Sequence, residues 1–443
     1  MEDWRKMTAS ELGRGIGAGR IDPVALTEAL LEAIAAHPEG ARIYARTTGP
    51  RALAEAEAAR LRARAGLRRG LLDGVPISWK DLFDSAGTAT EAGSALLRGR
   101  IPTADAEVLA NATQGGAVCL GKTHTSELAF SGLGLNPVTA TPPCINDPEA
   151  VPGGSSSGAA ASVAFDLAPV GIGSDTGGSV RLPAAWNDLV GLKTTMGRLS
   201  CKGVVPLCER FDTVGPLCRS VEDAAEVLAL LEGGKAADLG GATLAGVRLA
   251  VLETVALDDL RPDPAKGFEQ AADRLAKAGA SLTHISAPEV AEAMTLTVPL
   301  FSAEAYAIWH TKIEARPELM FPPILERFRG GAATTATEYI SAWRRLEQLR
   351  AIWNARIAGY DAVILPTAPN LPPKVSRLLE DEGYYVPENL MTVRNTRIGN
   401  LMGSAGLTLP TGVPSTGIMF LGLPFAEERL LRIGSAAERA IGR

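Results

Sequence analysis

Residues 152–183 read PGGSSSGAAASVAFDLAPVGIGSDTGGSVRLP, and this stretch constrains the chain more than any other. Two Gly-Ser clusters bracket an apolar segment, with Ser155 in the first and Ser179 closing the second. Glycine has no Cβ, so the backbone at such clusters can take positive φ and bring its N–H groups close to a ligand. Gly/Ser-rich sequence ordinarily means a flexible linker, but the flanks argue against one here. Residues 159–164 are small and helix-competent, and residues 168–172 form an apolar strand candidate, so each cluster sits at a junction between ordered elements. A phosphate cradle fits no better, because the stretch 152–183 contains no G-x-x-x-x-G-K-[ST] and neither cluster is followed by a phosphate-reaching lysine. A reaction site is the expectation that remains.

The rest of the chain reads as alternating helices and strands. Thr8-Ala9-Ser10-Glu11 opens like a helix, Pro23 suits the first turn of a second, and 51–65 is a charge-rich third with a solvated face. Residues 74–81 predict a short buried strand ending in Lys80, and lysines leaving such strands usually snorkel to water. Beyond it, 103–115 predicts an amphipathic helix, 117–121 a buried strand, 122–134 a loop region, and 136–151 a Pro-rich loop. Helices are expected at 221–231, 264–278, 288–311, 338–358 and 426–441, and strands at 247–252, 281–285, 361–366 and 406–410. Such alternation predicts α/β layers: a single large domain with a central mixed β-sheet covered on both faces by helices. Within one domain spanning 1–443, residues 1–68 form N-terminal helices, 70–225 a core, and 226–443 the rest of the sheet and a pocket cover.

At residue level the central stretch resembles the signature of the amidase signature family of serine hydrolases. The pieces that carry the resemblance are Gly153-Gly154-Ser155-Ser156-Ser157-Gly158, Gly173-Ser174-Asp175-Thr176-Gly177-Gly178-Ser179-Val180-Arg181 and Pro183-Ala184-Ala185. Upstream, Pro76 to Asp81 and Gly121 to Glu127 match, as do Gly191-Leu192-Lys193, Gly197-Arg198 and Gly215-Pro216 downstream. Several motifs in the right order cover 70–225 strongly and the C-terminal third weakly. Asp188 and Thr194 stand where related sequences usually carry glycine and proline, and aspartate tolerates left-handed geometry well enough to keep that turn.

Cleaving an amide requires a nucleophile, a base for its proton, an acid for the leaving nitrogen and donors for the oxyanion. No histidine lies in a matching motif, so a serine with a lysine base is the alternative to a Ser-His-Asp arrangement. A base lysine must be neutral at rest, which burial without a carboxylate partner achieves. The resemblance implies that Ser179 is the nucleophile, Ser155 the proton relay on a cis Gly154-Ser155 bond, and Lys80 the terminal base, with an acyl-enzyme intermediate. It also implies an oxyanion hole from the backbone N–H groups of Thr176, Gly177, Gly178 and Ser179, with Asp175, Arg181 and Ser156 holding the loop. For Asp175 and Arg181 an ordinary surface ion pair is the alternative. His124 falls in a K-T-x-x-x-E stretch that shapes the pocket in the family, rather than moving protons. Ala129 and Phe130 are candidates for contact with substrate, the 136–151 loop for another wall. Arg210 either is solvated or turns inward, where its planar fork would suit a carboxylate.

The implied function is hydrolysis of the C–N bond of a small carboxamide. Alternatives are the glutaminase A subunit of a tRNA-dependent amidotransferase, a urea-type amide hydrolase of biuret or allophanate kind, and an inactive scaffold. The stretch 389–412 lacks the acidic glutamine-binding run associated with that glutaminase. A net charge of −6 offers no basic footprint for nucleic acid. Nothing in the sequence calls for a cofactor or metal, since the five cysteines form no C-x-x-C pair and the four histidines are scattered. No window reaches the roughly 18 apolar residues of a membrane span, and no apolar segment follows Met1, so a cytoplasmic protein with reduced thiols is expected, with a homodimer left open.

Overall fold

The computed structural model describes residues 4–442. Eleven strands form one sheet: β1 (Tyr44–Thr47), β2 (Pro76–Lys80), β3 (Val118–Thr123), β4 (Val170–Ser174), β5 (Val190–Lys193), β6 (Val214–Cys218), β7 (Arg248–Leu252), β8 (Ser281–Ile285), β9 (Ala362–Pro366), β10 (Ala405–Pro410) and β11 (Gly417–Gly422). Their order across the sheet is β1-β3-β2-β4-β6-β5-β10-β11-β9-β7-β8. Parallel pairing at β2 with β3 and β4, and at β7 with β8 and β9, combines with antiparallel pairing in between. The sheet is therefore mixed, as the alternating pattern predicts.

Helices cover both faces, and the strands show it directly. Along β7, Leu249 and Val251 join one apolar core while Ala250 and Leu252 join the other. The same alternation holds at Ile364 and Leu365 of β9 and at Phe420 and Leu421 of β11. Strands buried on both sides lose the polar-apolar alternation of a half-exposed sheet and read as continuous apolar runs.

Most elements lie where the sequence places them. Thr8 caps the helix Ala9–Gly17, accepting from the Glu11 N–H while the Glu11 carboxylate accepts from the Thr8 N–H, a reciprocal capping box. Asp22 caps Pro23–Ala36, and Asp188 takes a left-handed φ of 54° in the turn before β5. Several boundaries differ. The helix expected at 103–115 spans Glu107–Gln114, and β3 runs on to Thr123, so Lys122 and Thr123 are strand residues rather than loop. The helix expected across 288–311 is three pieces, Pro288–Thr295, a π-turn at Val298–Ser302 containing Pro299, and Ala303–Ala315. Proline lacks the N–H that would continue the ladder, which accounts for the interruption. The 136–151 loop packs against Trp186 and Ser415, with Cys144 Sγ 3.3 Å from the Trp186 carbonyl oxygen; it forms no wall around Ser179.

The central stretch folds as strand-loop-helix layers around β4. Helix Ser157–Ala164, made of Ser, Gly, Ala and Val, lies directly on β4, whose sequence is VGIGS. A Cβ on Gly171 would sit 2.5 Å from the Ala159 carbonyl oxygen, and one on Gly173 2.5 Å from Ser156 Oγ. Those two glycines bring the Ser155–Ser157 turn against the strand end that carries Ser174.

Candidate active site

Lys80 ends β2 beside the end of β4, and its side chain is fully buried. Its Nζ donates to Ser155 Oγ at 2.7 Å and to Ser174 Oγ at 2.8 Å, and no carboxylate pairs with it among the described residues. Burial disfavours the ammonium and pulls Lys80 down to about 7, against a weaker opposing pull from the carboxylates of Asp212 and Asp175. The side chain does not snorkel to water, because the strand end points under the Gly-Ser loops.

Ser155 follows a cis peptide bond from Gly154. Its carbonyl oxygen accepts from Thr125 Oγ1 at 2.9 Å and from the Ser126 N–H at 3.2 Å. Ser156 ties the two clusters together: its N–H donates to the Ser179 carbonyl oxygen at 3.2 Å, and its Oγ donates to the Ser174 carbonyl oxygen at 3.2 Å and accepts from the Ser174 N–H at 3.3 Å.

The loop 175–180 is built around the Asp175 carboxylate. It accepts from the N–H groups of Gly178, at 2.8 Å, and Val180, at 3.2 Å, and from the Arg181 guanidinium, at 2.9 and 3.0 Å. Asn400 donates to it as well, at 2.9 Å. The Arg181 charge and these donors outweigh burial and hold Asp175 well below the usual carboxylate range. Both partners are fully buried, so they form an internal brace and not a surface pair. Such a carboxylate ordering several N–H groups fixes where the remaining ones point.

Those remaining groups correct one expectation. The N–H of Gly178 is taken by Asp175, whereas those of Thr176, Gly177 and Ser179 make no hydrogen bond among the described residues. Gly178 has a φ of 132°, and a Cβ there would sit 2.0 Å from Thr396 Oγ1, so its part is to let the turn form. Thr396 Oγ1 donates to the Gly177 carbonyl oxygen, and Thr176 Oγ1 donates to Asp212 at 2.5 Å. Asp212 also accepts from the N–H groups of Leu207 and Cys208, and burial pushes it up to about 6.

Ser179 borders a cavity together with Ala129, Phe130, Thr176 and Gly177. Arg210 is elsewhere: exposed, with its guanidinium 5.0 Å above the Trp343 ring, in a separate depression with Phe211 and Arg350. Of its two expected orientations the outward one is found. His124 is also outside the cavity, and burial pulls it down to about 4. The structure adds residues that sequence reasoning missed. Ser174 falls inside the second Gly-Ser motif, but Thr396, Asn400, Val393, Arg327 and Arg397 come from parts of the chain with no recognisable pattern.

Comparisons with known proteins bear on this arrangement. The sequence profile of the family described as Amidase matches residues 25–431. The 2-amino-5-chloromuconic acid deaminase of Comamonas testosteroni is 34% identical over 98% of this chain and 97% of that protein. The A subunit of glutamyl-tRNA(Gln) amidotransferase from Anaeromyxobacter sp. (strain K) is 31% identical over 98% and 96%. Among solved structures, the native peptide amidase of Stenotrophomonas maltophilia superposes with a TM-score of 0.83 at 29% identity, covering 98% of this chain and 96% of that one.

Proposed function

Because the chain belongs to the amidase family, whose enzymes hydrolyse C–N bonds, we propose that it cleaves a small carboxamide through an acyl-enzyme on Ser179. One observation carries this: a fully buried lysine held near neutrality, bonded to the hydroxyl of Ser155 and without a carboxylate partner, beneath the loop that presents Ser179. A lysine in that state accepts a proton at neutral pH, which an ordinary lysine does not.

In this mechanism Ser179 Oγ attacks the carboxamide carbon while its proton passes through Ser155 to Lys80. The free N–H groups of Thr176, Gly177 and Ser179 are candidates to receive the developing oxyanion. Lys80 then returns the proton through Ser155 to the leaving nitrogen, the C–N bond breaks, and an amine or ammonia departs. Water attacks the ester by the same route, delivering the acid and regenerating Ser179. Asp175 and Arg181 hold the loop and take no proton.

The purified chain alone should release ammonia from small carboxamides, and Ser179→Ala should lower kcat by at least about a thousandfold while the fold persists. A variant that keeps a tenth of the rate overturns the nucleophile assignment. Activity that appears only when other chains are added would instead favour the amidotransferase glutaminase.

A further inference from the structure

The cavity beside Ser179 carries positive charge that no carboxylate pairs with among the described residues. Arg397, on the helix Arg394–Leu401, and Arg327, on the helix Pro322–Arg329, both line it. Arg397 is only 7% exposed, and its guanidinium makes no hydrogen bond or ion pair among the described residues. Arg327 lies with its guanidinium carbon 4.5 Å above the Phe130 ring, and its Nη1 is buried without a partner. Neighbouring arginines differ: Arg181 is bound by Asp175 and Asn400, and Arg350 donates to the carbonyl oxygens of Leu401 and Asn400.

Nearby acidic groups are committed elsewhere. The Glu127 carboxylate accepts from Ser94 Oγ at 2.8 Å and from the Phe321 N–H at 2.9 Å, and Tyr385 donates its hydroxyl hydrogen to Ser131 Oγ. Burial, with repulsion from Arg327, pulls Arg397 down to about 9, so both guanidinia remain charged at neutral pH. A buried cation with no counter-charge is costly, and an anionic ligand that pairs with it recovers that cost on binding. The cavity walls at Phe130, Leu207, Phe301 and Val393 are apolar.

We infer that the substrate carries a free carboxylate, paired with Arg397 and Arg327, joined by a short hydrocarbon spacer to the carboxamide at Ser179. This rests on Ser179 being the site of attack. Monoamides of small dicarboxylic acids have that form. A planar guanidinium holds a carboxylate through two parallel hydrogen bonds, which sets the orientation of the amide at the other end. A neutral amide of the same length leaves both guanidinia unpaired and is rejected for that reason.

The test measures binding rather than turnover, on Ser179→Ala protein by calorimetry. Succinamate and glutaramate are compared with their neutral counterparts butyramide and valeramide. At least one acid should bind at least about tenfold more tightly than its neutral counterpart, and Arg397→Gln should remove that margin without changing the neutral amide. Arg327→Gln should weaken acid binding too, and Arg397→Lys should restore part of it. Equal affinity of acid and neutral amides, no binding by any of the four, or an equal loss for both on Arg397→Gln overturns the inference. If the arginine variants fail to fold, the acid-over-neutral margin of the Ser179→Ala protein decides alone. Failure of Ser179 as nucleophile is read separately, from ammonia release by that same variant.

Discussion

Replacing Lys80 with methionine should abolish turnover and at the same time make the protein more stable at neutral pH. In the unfolded chain this amine stays protonated to about pH 10.4, whereas burial in the fold pulls it down to about 7. Between those values the unfolded state holds one more proton than the folded one, so wild-type stability rises with pH across that window. The full penalty is present below pH 7 and is gone above about pH 10.4; at pH 7 it amounts to about 4 kcal/mol. Methionine has a similar unbranched length and no charge to desolvate, but it leaves the hydroxyls of Ser155 and Ser174 without their lysine donor. Each lost bond costs about 1 kcal/mol, which leaves a net gain of about 2 kcal/mol at pH 7 that vanishes or reverses by pH 10. Urea unfolding of both proteins at pH 7, 8.5 and 10 reads the difference. A methionine variant less stable than wild type at pH 7, or a difference that does not change with pH, would refute the claim that Lys80 is held neutral by burial.

The pH dependence of kcat/KM for ammonia release should follow the same amine, rising about tenfold per pH unit below neutrality and levelling above a midpoint near 7; a midpoint near 10 would mean that Lys80 titrates as an ordinary lysine. Arg181→Met should destabilise the fold by about 3–5 kcal/mol, since it strands the fully buried Asp175 carboxylate, and a loss under about 1 kcal/mol in urea titrations would count against the internal brace. Gly178→Ala should cost at least about a hundredfold in kcat, because its Cβ would collide with Thr396 Oγ1 and shift the Ser179 turn; near-wild-type kinetics would show that the turn is not geometrically demanding.

How far the sequence reveals the site depends on how local each contact is. Lys80, Ser155 and Ser179 stand out because each lies in a short local motif, a strand end or a glycine-rich turn, that carries the resemblance to the amidase signature. Thr396 and Asn400 reach the same loop from 219 and 225 residues away, and long-range contacts of this kind leave no spacing to read. The orientation of Arg210 is likewise set by where Trp343 lies, which its own neighbours do not encode. Strands β5, β6 and β11, with sequences VGLK, VGPLC and GIMFLG, are not legible as strands, being short, glycine-bearing and buried on both faces, so that none shows the alternation that marks a half-exposed strand. The cationic lining of the cavity needed the fold, since Arg327 and Arg397 stand 70 positions apart on separate helices.

The most direct measurement is the site of the covalent intermediate. Quenching the enzyme in acid during turnover of a carboxamide, followed by peptide mass mapping, should find the acyl group as an ester on Ser179, absent from Ser179→Ala and undetectable when Lys80 is methionine. An acyl group mapped to Ser155 or to any other residue, or none under conditions where ammonia is released in a burst, would contradict the assignment of Ser179 as the nucleophile.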